Sequence, residues 1–439
     1  MGRSLNKSIC VLHCQIDRDE PHTNARDLYS LALLSKFAEV TFINVLGPGL
    51  DEVDDRNFDL VIVSNSFMIM RSSPYWPTLL RRSSKVLLSA SHRILFLQDD
   101  YHRIDQTVRF AKEMDIEIYS VFADVDSIYA EYGITAKPWL IGFADKKMDQ
   151  LLSSLRIEWD MRTIDVGQRV FELSLEFGSE GRRKADLAAG FSKRMTELGL
   201  SCDVSIDERD RFSGFEWFEF LANCRATIGR HSGASLVSNS PLDQARALVI
   251  QDVFKNEEFE RQLARYIGDR QREKSFLAPS PRVFEAASLQ VLQVLEKSTV
   301  PYGIEEWNHF VPISSDLSDC ESVAKFIKSS EAVGMAERCH MELFGNPKWR
   351  REKWIEDVAV SKGFTALDEP AEVKIPFVER DLYEKIASLK SRSNRLKVIR
   401  RHSKSARNGS WHQIEAVHRW TSIEVFDINE VIGSDSEAN

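Results

Sequence analysis

The chain has 439 residues, long enough for two or three domains, each with a core of its own. Hydrophobic residues at 43% and charged residues at 28% read as a soluble globular protein, and a net charge of -9 argues against general nucleic-acid binding while leaving room for a local basic patch. No apolar run has the length to span a bilayer. The opening Met1-Gly2-Arg3-Ser4-Leu5-Asn6 carries neither the apolar core of a signal peptide nor the Ser or Thr of a myristoylation motif. Six cysteines with no Cys-x-x-Cys pair read as buried free thiols, so a reducing cytoplasm is expected.

From the N-terminus, Ser8–Cys14 is an apolar run, followed by an Asp-rich loop and a helix from about Asn24 to Phe37. Val40–Val45, Leu60–Ser64, Ile94–Leu97 and Ile116–Val121 are further short runs rich in Val and Ile, most of them separated by helical segments. This is the strand-helix-strand rhythm of a parallel, doubly wound sheet. Ligands of such sheets bind beyond the carboxyl ends of the strands. The residues expected there are His13-Cys14-Gln15, Asn65-Ser66 and Gln98-Asp99-Asp100-Tyr101-His102.

Lys137–Asp145, with Pro138 and Gly142, reads as an interdomain connection. A second alternation follows. Thr163–Val166 and Cys202–Ile206 are strand-like, Arg183–Leu198 and Gly214–Cys224 helical, and Ala226–Ile228 leads into Gly229-Arg230-His231-Ser232-Gly233-Ala234-Ser235. A charged helical stretch at 255–273, a helix opening at Ser280, a strand at Val291–Leu295 and a helix near 320–343 complete it. Residues 346–439 differ, with Trp349, Trp354, Phe364 and Phe377 as core material and nine Lys or Arg residues in Lys385–Arg407.

The stretch Ser280-Pro281-Arg282-Val283-Phe284-Glu285-Ala286 carries chemistry. Ser280 is expected as the N-cap and Pro281 as the first helical residue, leaving N–H groups and a positive dipole end for phosphate. Glu285, one turn further in, can accept hydrogen bonds from two vicinal hydroxyls such as those of a ribose. Together these suggest a nucleotide-sugar site. The competing reading is an ordinary capped helix with a solvated glutamate.

Several motifs occur in a telling order. Ile164-Asp165-Val166-Gly167-Gln168-Arg169, Gly181, Arg183-Lys184, Gly199-Leu200 and Cys202-Asp203-Val204-Ser205 are followed by the segment Trp217–Gly229, by Ser232-Gly233-Ala234-Ser235 and by the Ser280 stretch. Phe96-Leu97-Gln98-Asp99-Asp100-Tyr101 precedes them. This series, over roughly residues 90–345, resembles bacterial glycosyltransferase family 1-like proteins of the GT-B fold, including the spore-maturation-type group. The resemblance implies an α/β chain with two Rossmann-like doubly wound domains facing a cleft, plus a C-terminal extension. It places an acceptor-side domain at 1–142, a nucleotide-sugar-binding domain at 143–345 and the extension at 346–439. Leu277 stands where such enzymes often carry a glutamate eight residues before the ribose-binding one, and Gly229-Arg230-His231 stands where Gly-x-Glu is common.

The implied reaction moves a sugar from a nucleoside diphosphate donor to a glycan, lipid-linked or protein acceptor. Charge builds on the departing diphosphate and must be stabilised. Arg169, Lys184 and Arg282 are the candidate cations, and a metal-independent reaction with no cofactor beyond the donor is expected. Gly229, Ser232, Gly233 and Ser280 would contact sugar or phosphate and Glu285 the ribose. Asp99, Asp100 and His231 are the candidate catalytic groups, and Gln98, Tyr101 and His102 the acceptor contacts. The competing roles are surface cations, a tight turn, helix caps for the aspartates and a structural histidine. Trp217, Phe218, Phe220 and Leu221 recur at helical spacing and read as core.

Lys385–Arg407 interleaves Leu389, Leu396 and Ile399 with its cations. It is either a solvated face or a basic amphipathic helix touching an anionic inner-membrane surface. Two alternatives to the transferase stay open: a noncatalytic nucleotide-sugar-binding or partner-binding protein, and an epimerase-like enzyme.

Overall fold

The computed structural model describes residues 7–14, 28, 30–47, 50, 53, 56–72, 76–98, 100–140, 142–171, 173, 175–212, 215–237, 247, 249–250, 256–268, 276–278, 280–297 and 303–375. These divide into two units. The first takes the residues up to Trp139, those between Leu236 and Lys274, and those from Ile355. The second takes Leu140–Ser235 and Ser275–Trp354.

The first unit is built on β1 (Ser8–His13), β2 (Glu39–Asn44), β3 (Leu60–Val63), β4 (His92–Phe96), β5 (Glu117–Ser120) and β6 (Ala136–Pro138). Every pairing is parallel, in the order β2-β1-β3-β4-β5-β6. β3 reads Leu-Val-Ile-Val and is buried at all positions, the pattern of a parallel strand covered on both faces. The helices Trp76–Ser89, Ile104–Glu113 and Val125–Ala130 alternate with the strands.

The second unit holds β7 (Ile164–Arg169), β8 (Cys202–Ser205), β9 (Cys224–Gly229), the antiparallel pair β10 (Ser232–Ala234) and β11 (Phe276–Ala278), β12 (Leu292–Glu296) and β13 (Val311–Ile313). Its main sheet is parallel throughout, in the order β13-β12-β9-β7-β8. The helices Gly178–Glu197, Cys320–Ile327 and Glu331–Gly345 supply its core partners: Phe191, Met195, Ile327 and Met335 pack on Val166, Ile228, Val294 and Val311. Both units are therefore doubly wound α/β sheets, the fold class expected from the sequence.

Several boundaries differ. The chain does not divide once at 142/143; it returns to the first unit at Leu236 and again at Ile355. The described part of the expected extension belongs to the two units. Trp349 and Phe364 are buried, the Leu367 amide donates to the Lys36 carbonyl at 2.7 Å, and Lys362 pairs with Glu117. Pro138 ends a strand, as an edge strand permits, and the first crossing between the units, at Trp139/Leu140, falls inside the expected connection Lys137–Asp145. The region near 320–343 is two helices, broken at Lys328–Ser330. Phe377, Lys385–Arg407, Gln15, the Asp-rich loop and the acidic C-terminal stretch Ser434–Asn439, expected from its composition to be disordered, lie outside the described residues.

Candidate functional site

In the second unit the strand order reverses between β7 and β9, and ligand crevices of such sheets open at the carboxyl ends of the strands there. Gln168 near the end of β7, the Thr227–His231 segment closing β9, and Glu296 ending β12 meet at that edge. With Lys184, Ser280, Arg282 and Gln293 they line a cavity of about 40 Å³. That is room for a small polar group, not for a whole nucleotide. Three cations face one carboxylate around it.

The local sequence explains the placement. Successive strand residues point to opposite faces. Gln168 turns to the cavity, its amide reaching Thr227 Oγ1 at 3.3 Å and the Ile228 carbonyl, and its Oε1 accepts from Arg282 Nη1 at 2.7 Å. Arg169, the next residue, pairs with Asp203 at 2.8 Å and lies between the rings of Phe212 and Phe220, at 4.8 and 4.3 Å. The expected donor cation at 169 is thus held on the other side of the sheet, and it does not line the cavity.

Four side chains close a ring of ion pairs at the cavity edge. Arg230 Nη2 lies 2.6 Å from Glu180 Oε2 and its Nε 2.8 Å from Glu296 Oε2. Arg183 Nη2 lies 3.0 Å from Glu296 Oε1 and its Nη1 3.3 Å from Glu180 Oε1. Arg230 and Glu296 are nearly sealed, with side chains 4% and 2% exposed, whereas Arg183 is 44% exposed. Burial pushes the Glu296 carboxyl up, but Arg230, Ser315 and Arg183 outweigh it and hold the group below its ordinary range.

The helix that carries Glu180 and Arg183 is tied down to the loop after β9. Lys184 Nζ donates to Ser232 Oγ at 3.2 Å, the Glu180 amide to Ser235 Oγ at 3.3 Å, and the Ser235 amide to the Phe177 carbonyl at 3.0 Å. Gly233 sits opposite Leu277 in the β10–β11 pair with φ at +153°, and a Cβ there would lie 2.3 Å from the Phe276 carbonyl oxygen. Glycine is required at 233 by close backbone approach, and Leu277 is a paired strand residue.

His231 is buried on the cavity wall. Burial and the neighbouring Arg230 charge pull its pKa down to about 4, so it is neutral near pH 7. An imidazole whose folded pKa lies below its unfolded value, about 6.5, takes up a proton more readily when unfolded. Its contribution to stability is therefore intact at neutral pH and is lost as pH falls from about 6.5 towards 4. Urea unfolding across this window should show a falling stability for the wild type, with a shallower fall for His231→Asn. An identical pH slope in the variant would contradict the buried state of His231.

The Ser280 segment departs from expectation. The helix is assigned from Arg282 to Ser288, with Pro281 already helical at φ -63° and ψ -20°, and the Val283 amide bonds to the Ser280 carbonyl at 3.3 Å. Arg282 also stacks on Trp217 at 5.0 Å, and the Trp217 indole N–H donates to Glu285 at 2.9 Å. Ser280 and Arg282 line the cavity; Glu285 does not.

On the first unit, Asp99 lies outside the described residues. Asp100 is fully buried and accepts from the Tyr129 hydroxyl at 2.7 Å, whose pKa is raised well above its usual value by burial and then by Asp100. Asp100, expected at the strand-end rim as a candidate catalytic group, is instead enclosed, because the Tyr129 hydroxyl supplies its hydrogen bond from within the unit. The Gln98 amide donates to Asn65 Oδ1 at 3.0 Å, Tyr101 is buried, and the half-buried His102 receives Arg71 on its carbonyl. His13 and Ser66 of the expected rim are also buried.

The structure thus brings together Lys184, Gly229, His231, Ser280 and Arg282 in the cavity wall, with Ser232 held by Lys184 and Gly233 next to it in the loop. Sequence reasoning passed over Gln168, Arg230, Glu180, Gln293 and Glu296. A glutamate closing a fully buried strand was the available signal for Glu296. Among the described residues, no group of three or more His, Cys, Asp or Glu side chains could hold a metal ion.

No protein-family model and no curated protein matches this chain. Solved structures similar to it include T4 phage BGT in complex with UDP and Mn²⁺, at 12% identity and a TM-score of 0.47 over 81% of this chain and 99% of that one. Anabaena HepE in complex with UDP and glucose is similar at 11% identity and 0.45, with the same coverage. AviGT4, a glycosyltransferase involved in avilamycin A biosynthesis, is similar at 11% and 0.43, over 81% and 97%. Likeness at this level carries no argument about substrate or site; the α/β class stands on the strand orders themselves.

Proposed function

We propose that this chain is a GT-B-type glycosyltransferase, akin in its motifs to the spore-maturation-type group, that moves a sugar from a nucleoside diphosphate donor to a glycan, lipid-linked or protein acceptor. One observation carries it: the cavity at the switch point of the second sheet is walled by Lys184, Arg230 and Arg282 against a single carboxylate. Its size suits a phosphoryl group, with nucleoside and sugar lying outside it. Lys184 supplies a point charge and the arginines forked donors to an oxyanion. Charge growing on the leaving diphosphate would be met there by groups already in place. Neutral His231 would contribute a hydrogen bond. Cations fill the role a metal could play, so activity is expected to persist in excess chelator.

The test is isothermal titration with UDP, the nucleotide named for two of the solved structures above, and with UDP-glucose as a donor sugar nucleotide. Lys184→Ala is expected to weaken UDP binding by about tenfold or more, the value of a lost charge-assisted hydrogen bond. Wild-type protein that binds no nucleoside diphosphate or its sugar would overturn the proposal. A noncatalytic sugar-nucleotide binder is the second reading. The burial of Asp100 and the low pKa of His231 favour it, since neither is poised as a base near neutral pH. Slow release of free sugar from the donor separates the two in favour of the enzyme.

A further inference from the structure

The ion-pair ring has more members than a static pair needs. Arg230 and Glu296 alone would already be a sealed pair. Turning that guanidinium towards an incoming anion would strand Glu296 as an uncompensated charge in a dry place, which is costly. Arg183 changes the balance. It contacts both carboxylates that Arg230 contacts, and Ser315 Oγ at 2.8 Å helps to fix it. Arg230 lies on the cavity wall; Arg183 is not among the lining residues and remains partly hydrated.

Resting on the nucleoside diphosphate reading above, we propose that Arg230 is the exchangeable receptor for the donor's terminal phosphoryl group, and that Arg183 is the positioning residue that makes the exchange possible by holding Glu180 and Glu296 when Arg230 turns to the anion. The ring in the unliganded chain is then a preloaded state. Arg230 is kept extended and desolvated at the cavity edge by the same two carboxylates that Arg183 later neutralises. The phosphate replaces a carboxylate partner on Arg230, so no guanidinium is left unpaired and no carboxylate is buried alone. Arg183 acts without touching the ligand.

The discriminating ligands are UDP and UMP, which differ by the terminal phosphoryl group. Wild-type protein should prefer UDP by about tenfold or more, a charge-assisted contact to the extra phosphoryl. In Arg183→Ala that preference should shrink towards equality while UMP affinity stays unchanged, and Arg183→Lys should restore most of it. Thermal unfolding of the ligand-free proteins controls for folding, because a merely structural role would lower UDP and UMP binding together. Wild-type protein that binds neither nucleotide overturns the functional reading and this inference together. Wild-type protein that prefers UDP, with Arg183→Ala keeping the same preference or losing both ligands alike, overturns this inference alone.

Discussion

Replacing Arg230 by alanine is expected to cost about 3–5 kcal/mol of folding stability at neutral pH, the penalty for removing one partner of a buried pair. The variant leaves Glu296, 2% exposed, and Glu180 to share one half-hydrated arginine. Glu296 has a folded pKa below its ordinary value, so its pairing contributes stability above the unfolded carboxylate pKa, about 4.3, and loses it as pH falls through the lower folded value. The gap between wild type and Arg230→Ala should therefore be wide at neutral pH and narrow in acid. Urea unfolding at both conditions reads it, with Arg230→Lys as the charge-preserving control. A loss under about 1 kcal/mol at neutral pH, the value of an exposed pair, would show that water reaches the ring.

Arg162 predicts a loss of similar size at the opposite end of the same sheet. Its guanidinium is buried and donates to four backbone carbonyls, those of Ile157 at 2.9 Å, Cys224 at 3.1 Å, Gln290 at 3.0 Å and Leu289 at 3.2 Å. Arg162 stands two residues before β7, and Cys224, Leu289 and Gln290 lie at the entrances to β9 and β12, so one side chain ties three adjacent strands at their amino ends. Arg162→Met keeps an unbranched stem and deletes every donor. Each stranded buried acceptor costs about 1–3 kcal/mol, and with partial relaxation the total is expected at about 3–5 kcal/mol. Equilibrium unfolding measures it. Below the transition the folded variant should bind UDP as the wild type does, because the cavity lies at the other ends of these strands. A variant as stable as the wild type would mean that water replaces all four donors.

The two regions differ in how far they can be read from residues alone. Short apolar or strand-like runs placed nine of the thirteen strands among the described residues to within a few residues; a parallel strand buried on both faces, such as β3, must be apolar throughout. β6, β10, β11 and β13 escaped. Each is three residues long, and Ala-Lys-Pro, Ser-Gly-Ala, Phe-Leu-Ala and Val-Pro-Ile carry no pattern of their own. The helix expected from Arg183 opens at Gly178, so Glu180 falls in its first turn and within reach of Arg230.

The candidate site was half legible. Lys184, Ser280 and Arg282 could be picked out as a cation, a hydroxyl and a second cation near predicted helix starts, and all three meet at the cavity. Arg169 and Gln168 could not be ranked by type. Their places depend on which face of β7 turns to β9, and a shift of one residue exchanges them.

Composition, apolar runs and turn residues alone determined that this chain folds as two doubly wound α/β sheets, and where several of the second sheet's cavity-lining segments lie. These are local signals, set by strand burial, by the backbone freedom of glycine and by the fixed φ of proline. Only the tertiary structure decided that Arg230, Arg183, Glu180 and Glu296 form one ring. Their partners lie up to 113 positions apart in sequence, and strand order, not neighbourhood, brings the ends of β9 and β12 beside the helix after β7. It also decided that Asp100 turns inward to Tyr129, because a carboxylate near a strand end is drawn to whichever side offers its hydrogen bond.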